Sequence, residues 1–250
     1  MLDTRNLYRS EEFSRAWHER QLSYRDFLRK DLMNQIVEEE MGDISDLAIL
    51  DAGCGDGFFL GDLLEKKPSF LTAFDISPYL VRIANDRFPL TACAVGDITV
   101  MPYRSEIFDV VLCYNVLMAL LDAPRAMQEI SRVAKPNGTI HIVIVHPLYN
   151  LFANDRLAQT ESTMERLRRY VREEAIHVTT IPGFENFVAY RRPLAYYLNA
   201  FSGAGLFLSK TIEIPIDEAV AETNQEGMER IGIPLFTYFR LRKIEQMLPT

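Results

Sequence analysis

The sequence has few of the residues that build metal centres or disulfide frameworks. Its three cysteines, Cys54, Cys93 and Cys113, are dispersed inside apolar segments, so neither paired disulfides nor a thiolate metal cage is expected. The four histidines are scattered and form no helical pair at metal-ligand spacing. We therefore predict reduced, mostly buried thiols and no structural metal.

Long apolar runs and an excess of positive charge are also missing. The charged start MLDTRNLYRSEEF lacks the apolar stretch of a signal peptide, and no run of about 18 apolar residues occurs. The default expectation is a cytoplasmic protein without a membrane segment. Acidic residues number 35 against 27 basic ones, giving a net charge of −8. A protein that grips phosphate backbones normally has the opposite bias, so nucleic acid is not expected as a partner.

The apolar pattern predicts an α/β domain. From Leu47 onward, short apolar runs alternate with helical stretches, which is typical of a parallel sheet with crossover helices. The predicted strands are 48–52, 70–74, 91–95, 108–114 and 139–145. His141 falls inside the fifth strand and is expected to be a core histidine with its hydrogen bonds satisfied.

Helices and further strands are predicted on either side of this region. Before it, Ser10 can cap one helix, and a second runs from about residue 24 to residue 41 and closes at Gly42. After it, we predict an exposed helix at 155–175, strands near 176–181 and 186–190, a helix at 193–202, and strands at 206–214 and 235–243.

The strongest local signal is ILDAGCGDGFFL, in which the first strand runs into three closely spaced glycines. Glycines at such a position let the backbone turn sharply and approach a ligand, while the next helix points its amide groups at it. The spacing is G-x-G-x-G, whereas a dinucleotide loop has G-x-G-x-x-G. With an acidic residue two positions ahead, the loop suits a ligand that carries an ammonium and a carboxylate. The alternative is a tight turn without a ligand; the candidate binding residues are Asp51, Gly53, Cys54, Gly55 and Gly57.

Acidic residues also follow the second and third strands. Asp75, with Ile76 beside it, can accept hydrogen bonds from two ribose hydroxyls, and Asp97 can accept one from an adenine amino group while Ile98 packs on the ring. Each aspartate could instead have a purely structural role: Asp75 could stabilise a turn or cap a helix, and Asp97 could belong to a Gly-Asp turn. Because open α/β sheets bind ligands at the carboxyl ends of their strands, the coincidence favours a shared binding crevice.

Residues 47–147 resemble the core of class I S-adenosylmethionine (SAM)-dependent methyltransferases. The resemblance covers DAGCGDG, FDIS, GDI, FDVVLCYNVLMALLD and EISRVAKPNGTIHI. It implies SAM as cofactor, S-adenosylhomocysteine (SAH) as product, and Tyr114, Asn115 and Val116 beside the methionine part. The tail, YRRPLAYYLNAFSGAGL through PLFTYFRLRK, is similar to bacterial small-molecule members. The expected fold is a doubly wound, mostly parallel seven-stranded sheet with helices on both faces and an antiparallel last strand.

The sequence also departs from related patterns. Many relatives carry a histidine or an acid pair soon after the fourth strand, where this chain has Met118 and Ala119, so no general base is expected there. No D/N-P-P-Y or Pro-Cys follows that strand, and the acid cluster of the magnesium-dependent catechol type is missing. The resemblance therefore does not extend to DNA or catechol methyltransferases.

His146, just past the fifth strand, is the candidate general base, because imidazole titrates near neutrality. A substrate-binding or turn-stabilising role next to Pro147 is weighed equally with it.

Aromatic and arginine side chains supply the candidates for substrate contact. Trp17, Tyr24 and Tyr149 could close over cofactor or substrate, although ordinary packing explains each of them as well. Arg191 and Arg192 could grip a substrate carboxylate through their forked donors, or form a solvated pair at a helix start.

The sequence as a whole predicts methyl transfer from SAM to an oxygen or nitrogen atom of a small molecule. Residues 1–46 are predicted to form a helical lid, and residues 47–250 the methyltransferase domain, with an inserted substrate-covering region at about 147–192. The alternatives are a protein methyltransferase, a non-catalytic cofactor-binding scaffold and an NAD-dependent oxidoreductase, the last being the least favoured. Whether the chain forms a homodimer is left open.

Overall fold

The computed structural model describes residues 5–27, 33–153, 162–178, 187–216, 218 and 231–243. The helices are α1 Arg5–Arg9, α2 Glu11–Phe27, α3 Gln35–Met41, α4 Leu60–Glu65, α5 Pro78–Arg87, α6 Ala123–Val133, α7 Pro147–Ala153, α8 Thr163–Arg168 and α9 Leu194–Gly203. The strands are β1 Ala48–Ala52, β2 Phe70–Asp75, β3 Ala92–Val95, β4 Phe108–Tyr114, β5 Ala134–Val145, β6 Glu174–Val178, β7 Phe187–Arg191, β8 Leu206–Pro215 and β9 Pro234–Lys243. A short 3₁₀ turn spans Leu117–Ala119.

The main sheet has seven strands in the order β3-β2-β1-β4-β5-β9-β8. β9 runs antiparallel to both of its neighbours, β5 and β8, while the other pairs are parallel. β6 and β7 form a separate antiparallel pair. The predicted doubly wound sheet with an antiparallel last strand is therefore confirmed.

Helices cover both faces of the sheet, as its apolar strands require. On one face, α6 and α9 pack against residues of β1, β4 and β5, among them Leu50, Val111 and Ile142. On the other face, α4 and the segment that leads into α3 pack against Ile49, Val110 and other residues of these strands. Because β1 and β4 are buried from both sides, the tips of these central strands are held in fixed positions.

Several predicted boundaries change. β5 begins at Ala134, because the chain already pairs with Phe108 there, so Ala134 belongs to the strand and not to the preceding helix. Within the predicted helix at 24–41, the structure shows the end of α2 and all of α3, and residues 28–32 lie outside the described part of the chain. Of the predicted helix at 155–175, the structure shows α8, and residues 155–161 also lie outside.

The three thiols are free; Cys54 and Cys113 are buried, and Cys93 is half-buried. Within the described ranges, no group of three or more His, Cys, Asp or Glu side chains is placed to hold a metal ion. No helix in those ranges is long and apolar enough to cross a membrane.

His141 is a fully buried core histidine, as predicted, and it gives the fold a specific acid sensitivity. Its Nδ1 lies 2.8 Å from Tyr238 Oη and its Nε2 lies 3.2 Å from Thr139 Oγ1. Burial, aided by the nearby Arg240, lowers the pKa of His141 from 6.5 to about 3. Between these two pH values, His141 is protonated in the unfolded chain and neutral in the folded chain. The free energy of unfolding therefore falls as the pH drops below 6.5.

We expect the His141 contribution to reduce the free energy of unfolding by about 1.4 kcal/mol per pH unit below pH 6. Urea unfolding of wild type and His141→Asn at pH 7 and pH 5 measures it. The asparagine variant should lose less stability between the two pH values than wild type does. An equal loss in both proteins would rule out His141 as the cause.

Candidate active site

A cavity lies at the carboxyl ends of the central strands, where the sequence predicts a binding crevice. It holds about 1180 Å³ of empty space when its open mouth is included. Its walls come from the tips of β1, β2 and β4, the loop after β3, and the N-terminal helices.

The glycine loop after β1 forms one wall of the cavity. Gly53 has a φ of 89°, and a Cβ atom at this position would overlap the side chain of Val116. The N–H groups of Gly53 and Cys54 both donate to Phe74 O, at 2.8 and 3.0 Å, which ties the loop to β2. Glycine at position 53 is therefore required by both the backbone conformation and the space. Gly53, Cys54 and Gly55 all line the cavity.

Gly57 packs between α4 and α5. It does not line the cavity, and a Cβ atom there would lie 3.0 Å from Leu60 and 3.2 Å from Ala84. Its φ of 75° lies in the left-handed region, which glycine adopts most easily. Gly57 thus shapes the turn into α4 and lets that helix pack closely against α5, while its contact with a ligand stays a prediction.

Asp75 connects the tip of β2 to the glycine loop. Its Oδ2 accepts a hydrogen bond from Gly55 N and its Oδ1 accepts one from Ser77 N, both at 2.9 Å. Ser77 caps α5 by accepting from Leu80 N, so the cap role considered for Asp75 belongs to Ser77. Burial raises the pKa of Asp75, and the backbone N–H groups partly offset this effect. A carboxylate has about four lone-pair positions, so it retains capacity for ligand hydroxyls.

Asp51, at the end of β1, places a buried carboxyl group in the cavity wall. It is 4% exposed, and burial, with a smaller effect of nearby Asp75, raises its pKa from 3.8 to about 7. A buried carboxylate without a cation is costly. The site therefore favours a ligand that brings a positive charge to Asp51.

Asp97 and Ile98 lie after β3, where the sequence predicts the adenine contacts. Asp97 Oδ1 accepts from both the N–H and the hydroxyl of Thr99, at 2.9 and 2.7 Å, so the turn chemistry proposed as the alternative is present. Both residues nevertheless line the cavity together with Ile76, and Ile98 is 5% exposed within a core cluster. The two explanations of Asp97 are thus compatible.

Tyr114 and Asn115 end β4 and turn toward the same cavity. Asn115 has a φ of 53°, and its N–H donates to Val143 O at 2.8 Å. Tyr114 stacks on Phe59 with 5.2 Å between ring centroids. Tyr114 Oη and Asn115 Oδ1 are both buried without a hydrogen-bond partner, and such groups are costly unless a ligand completes them. These orphaned atoms fit a cofactor whose polar amino-acid part ends here.

The N-terminal helices close one side of the cavity. Trp17, predicted as a lid residue, lines it together with Tyr8 and Gln21. Two contacts fasten α2 to the domain: Ser77 Oγ donates to Ser14 Oγ at 2.7 Å, and His18 Nδ1 lies 3.2 Å from Asp56 Oδ2. The backbone of Tyr24 lies in α2, and its side chain is outside what the structure describes.

His146 is buried beside the sheet and is not among the residues that line the cavity. Its Nδ1 accepts from Leu148 N at 3.0 Å, and its Nε2 lies 3.1 Å from Glu213 Oε1. Burial lowers the pKa of His146, while Glu213 opposes this effect. This geometry favours the turn-stabilising alternative. The general-base role stays a prediction that the geometry does not support.

The remaining predicted substrate contacts also lie away from the cavity lining. Tyr149 packs against the apolar cluster on the α4 side of the sheet. Arg191 is 1% exposed and pairs with Glu174. Arg192 donates to Leu121 O at 2.8 Å, and its guanidinium lies 4.5 Å from the centroid of the Tyr196 ring. The expectation of a solvated arginine pair is therefore wrong, because both side chains are buried in structural contacts.

Sequence reasoning missed about half of the cavity wall. Some of these residues adjoin a recognised motif and could have been found from it, such as Phe58 and Phe59 after the glycine loop. Others come from N-terminal helices that carry no motif. The missed lining residues are Tyr8, Gln21, Met33, Asn34, Asp56, Phe58, Phe59, Phe74, Leu80, Gly96, Ala119 and Leu120.

Comparisons with known proteins agree with this geometry. Residues 50–142 match the family described as a methyltransferase domain. The chain is 33% identical over 95 residues to an uncharacterized methyltransferase-like protein of Schizosaccharomyces pombe, covering 38% of this chain and 37% of that one. It is 32% identical over 92 residues to the malonyl-[acyl-carrier protein] O-methyltransferase of Serratia marcescens, covering 37% and 36%. The matches thus span little more than a third of these relatives.

A solved structure extends the likeness to the fold. The SAM-dependent methyltransferase of Mesorhizobium loti superposes with a TM-score of 0.69 at 19% identity, covering 83% of this chain and 96% of that one. The chain therefore has the fold of the class I SAM-dependent methyltransferases and carries a methyltransferase domain at residues 50–142, and these findings, together with the crevice built from β1, β2 and β4, support SAM as its cofactor.

Proposed function

We propose that the protein transfers a methyl group from SAM to a nitrogen or oxygen atom of a small molecule. The supporting observation is the cavity itself, in which the tips of β1, β2 and β4 form a wall together with Tyr8, Trp17 and Gln21 of the N-terminal helices. Bound SAM supplies a methyl carbon that its sulfonium already activates. The chain has to hold donor and acceptor in line and exclude water.

The residue types that line the cavity limit which chemical groups can accept the methyl group. Among the lining residues that the structure describes, none is His, Lys or Arg, and His146 faces Glu213. Of the lining carboxyl groups, Asp51, Asp75 and Asp97 are assigned to the cofactor, and Asp56 pairs with His18. An acceptor that must lose a proton before attack would need a base. We therefore propose an acceptor atom that is nucleophilic without one, either a neutral amine nitrogen or a carboxylate oxygen. The name of the Serratia relative, a malonyl-[acyl-carrier protein] O-methyltransferase, is compatible with the second of these.

Two further segments have proposed roles in this function. We propose residues 1–46 as a lid, because α1 and α2 supply Tyr8, Trp17 and Gln21 to the wall. The inserted region at about 147–192 braces that lid, since Ala189 of β7 packs in the small cluster around Phe13 of α2. No described residue of the insertion lines the cavity, so its role is support of the lid.

The proposed function is tested by SAH release from SAM in the presence of panels of amines, carboxylic acids, phenols and alcohols. We expect turnover with members of the first two panels and little with the last two. The Asp75→Ala variant serves as the blank. Turnover confined to phenols and alcohols would contradict the acceptor class. Turnover confined to protein acceptors would contradict a small-molecule function.

A further inference from the structure

We propose that Asn34 is a cofactor-positioning residue, whose amide oxygen accepts a hydrogen bond from the ammonium group of SAM. The inference rests on SAM being the cofactor and does not depend on the acceptor. Asn34 lies in the N-terminal segment, outside residues 50–142 that match the methyltransferase domain. It would extend the cofactor site to a part of the chain with no recognisable binding motif.

The amide of Asn34 is oriented by its own neighbours. Asn34 lines the cavity and is 2% exposed. Its Nδ2 donates to Asp62 Oδ2 of α4 at 2.7 Å, and a carboxylate can only accept, so this bond fixes which end of the amide faces which way. The other end, Oδ1, is buried without a hydrogen-bond partner. A buried amide oxygen of this kind needs a donor, and the cavity is where a ligand can supply it.

The backbone around Asn34 is helical and anchored. Met33 and Asn34 form a π-helical turn that continues into α3, and turns of this kind are frequent at functional sites. Asn34 has φ −63° and ψ −43°, and its side chain makes no capping hydrogen bond. Met33 and Val37 on either side are 1% and 0% exposed.

The charged groups around Asn34 determine which part of a ligand can bind next to it. Asp62 accepts a hydrogen bond from the Asn34 amide. Burial raises the pKa of Tyr114, and the negative charges of nearby Asp51 and Asp62 raise it further. This corner of the cavity offers acceptors and negative charge, so it disfavours a carboxylate and favours a cationic N–H donor. The ammonium is the part of SAM with those properties, since the ribose and adenine are expected at Asp75 and Asp97.

The test measures SAH affinity by titration calorimetry with two ligands and two proteins. The ligands are SAH and its analogue in which hydrogen replaces the α-amino group; the proteins are wild type and Asn34→Ala. A hydrogen bond to a charged group predicts a loss of about 10- to 100-fold in SAH affinity for the variant. The deaminated analogue should bind wild type and variant equally within about twofold, because it lacks the group that Asn34 contacts.

Two further variants separate a ligand contact from a structural effect. Asn85→Ala is the matched control, because the Asn85 amide donates to Cys93 O at 3.0 Å and Asn85 does not line the cavity; it should bind both ligands as wild type does. Asp62→Ala frees the Asn34 amide to rotate, so it should weaken SAH binding and leave the binding of the deaminated analogue unchanged.

Each contrary result has a distinct meaning. If Asn34→Ala weakens both ligands equally, Asn34 acts on the shape of the cavity and the inference is overturned. If neither ligand is affected and only the KM of an acceptor changes, Asn34 contacts the acceptor and the inference is overturned as well. If wild type binds neither SAH nor the analogue, the cofactor assignment fails, and the proposed function fails with it.

Discussion

Replacing Asp51 with asparagine is expected to stabilise the free protein at pH 8 by about 4 kcal/mol while weakening its binding of SAH. The folded-state pKa of Asp51 is about 7 against an ordinary value of 3.8. The folded chain therefore holds a proton between these pH values that the unfolded chain releases, so stability declines as the pH rises from about 4 to about 7. Asparagine has nearly the same shape and carries no charge, so the decline should disappear.

The same substitution should change the pH dependence of cofactor binding. An ammonium group beside Asp51 favours the ionised carboxylate, so binding below pH 7 must displace the proton from Asp51. The affinity of wild type for SAH should fall about tenfold per pH unit between pH 7 and pH 5. The Asp51→Asn variant should bind more weakly at pH 7 and show a flatter pH profile.

Urea unfolding and SAH titration at pH 5, 6, 7 and 8 measure both effects. Asp86→Asn is the matched control, because Asp86 is exposed on α5 and should affect neither quantity. An Asp51→Asn protein that is less stable than wild type at pH 8, or whose SAH affinity follows the wild-type pH profile, would show that Asp51 is not a buried partner of a cation.

Replacing Asp75 with alanine is expected to weaken SAH binding at least 100-fold. Asp75 is the predicted acceptor for two ribose hydroxyls, and each bond to a charged group contributes about 1.5–3 kcal/mol. The substitution also removes the acceptor for Gly55 N, so the glycine loop loses one of its attachments to β2. Both losses act on the same ligand, which makes this the largest binding effect that we expect.

The Asp75→Asn variant separates the two contributions to this loss. An asparagine oxygen can still accept from Gly55 N but carries no charge, so we expect its SAH affinity to lie between those of wild type and alanine. Titration calorimetry with SAH measures all three proteins, and circular dichroism checks that they are folded. If Asp75→Ala binds SAH as tightly as wild type does, Asp75 is not part of the cofactor site.

The sheet and half of the crevice could be predicted because their signals are local. A buried parallel strand is a short apolar run, and a polar residue at its end must lie at the sheet's binding edge. Asp51, Asp75, Asp97 and Asn115 follow from that rule. Gly57 shows its limit, because a glycine in the same motif can serve the packing of α4 against Leu60 and Ala84.

The rest depends on contacts between segments far apart in the chain. Arg192 lies just before the start of a helix, yet it donates a hydrogen bond to Leu121 O, 71 residues away in the sequence. No local sequence pattern predicts that its side chain is buried. His146 follows a strand tip, but Glu213 on β8 sets its surroundings. Asn34 belongs to no motif in the sequence, and its pairing with Asp62 emerges only when the segment docks on α4.

A crystal structure of the protein grown with saturating SAH tests the central claim most directly. We expect the ribose hydroxyls at Asp75, the adenine beside Asp97 and Ile98, and the amino-acid end at Asp51. Electron density for SAH at any other place, or a crevice that stays closed to it at saturation, would contradict the account.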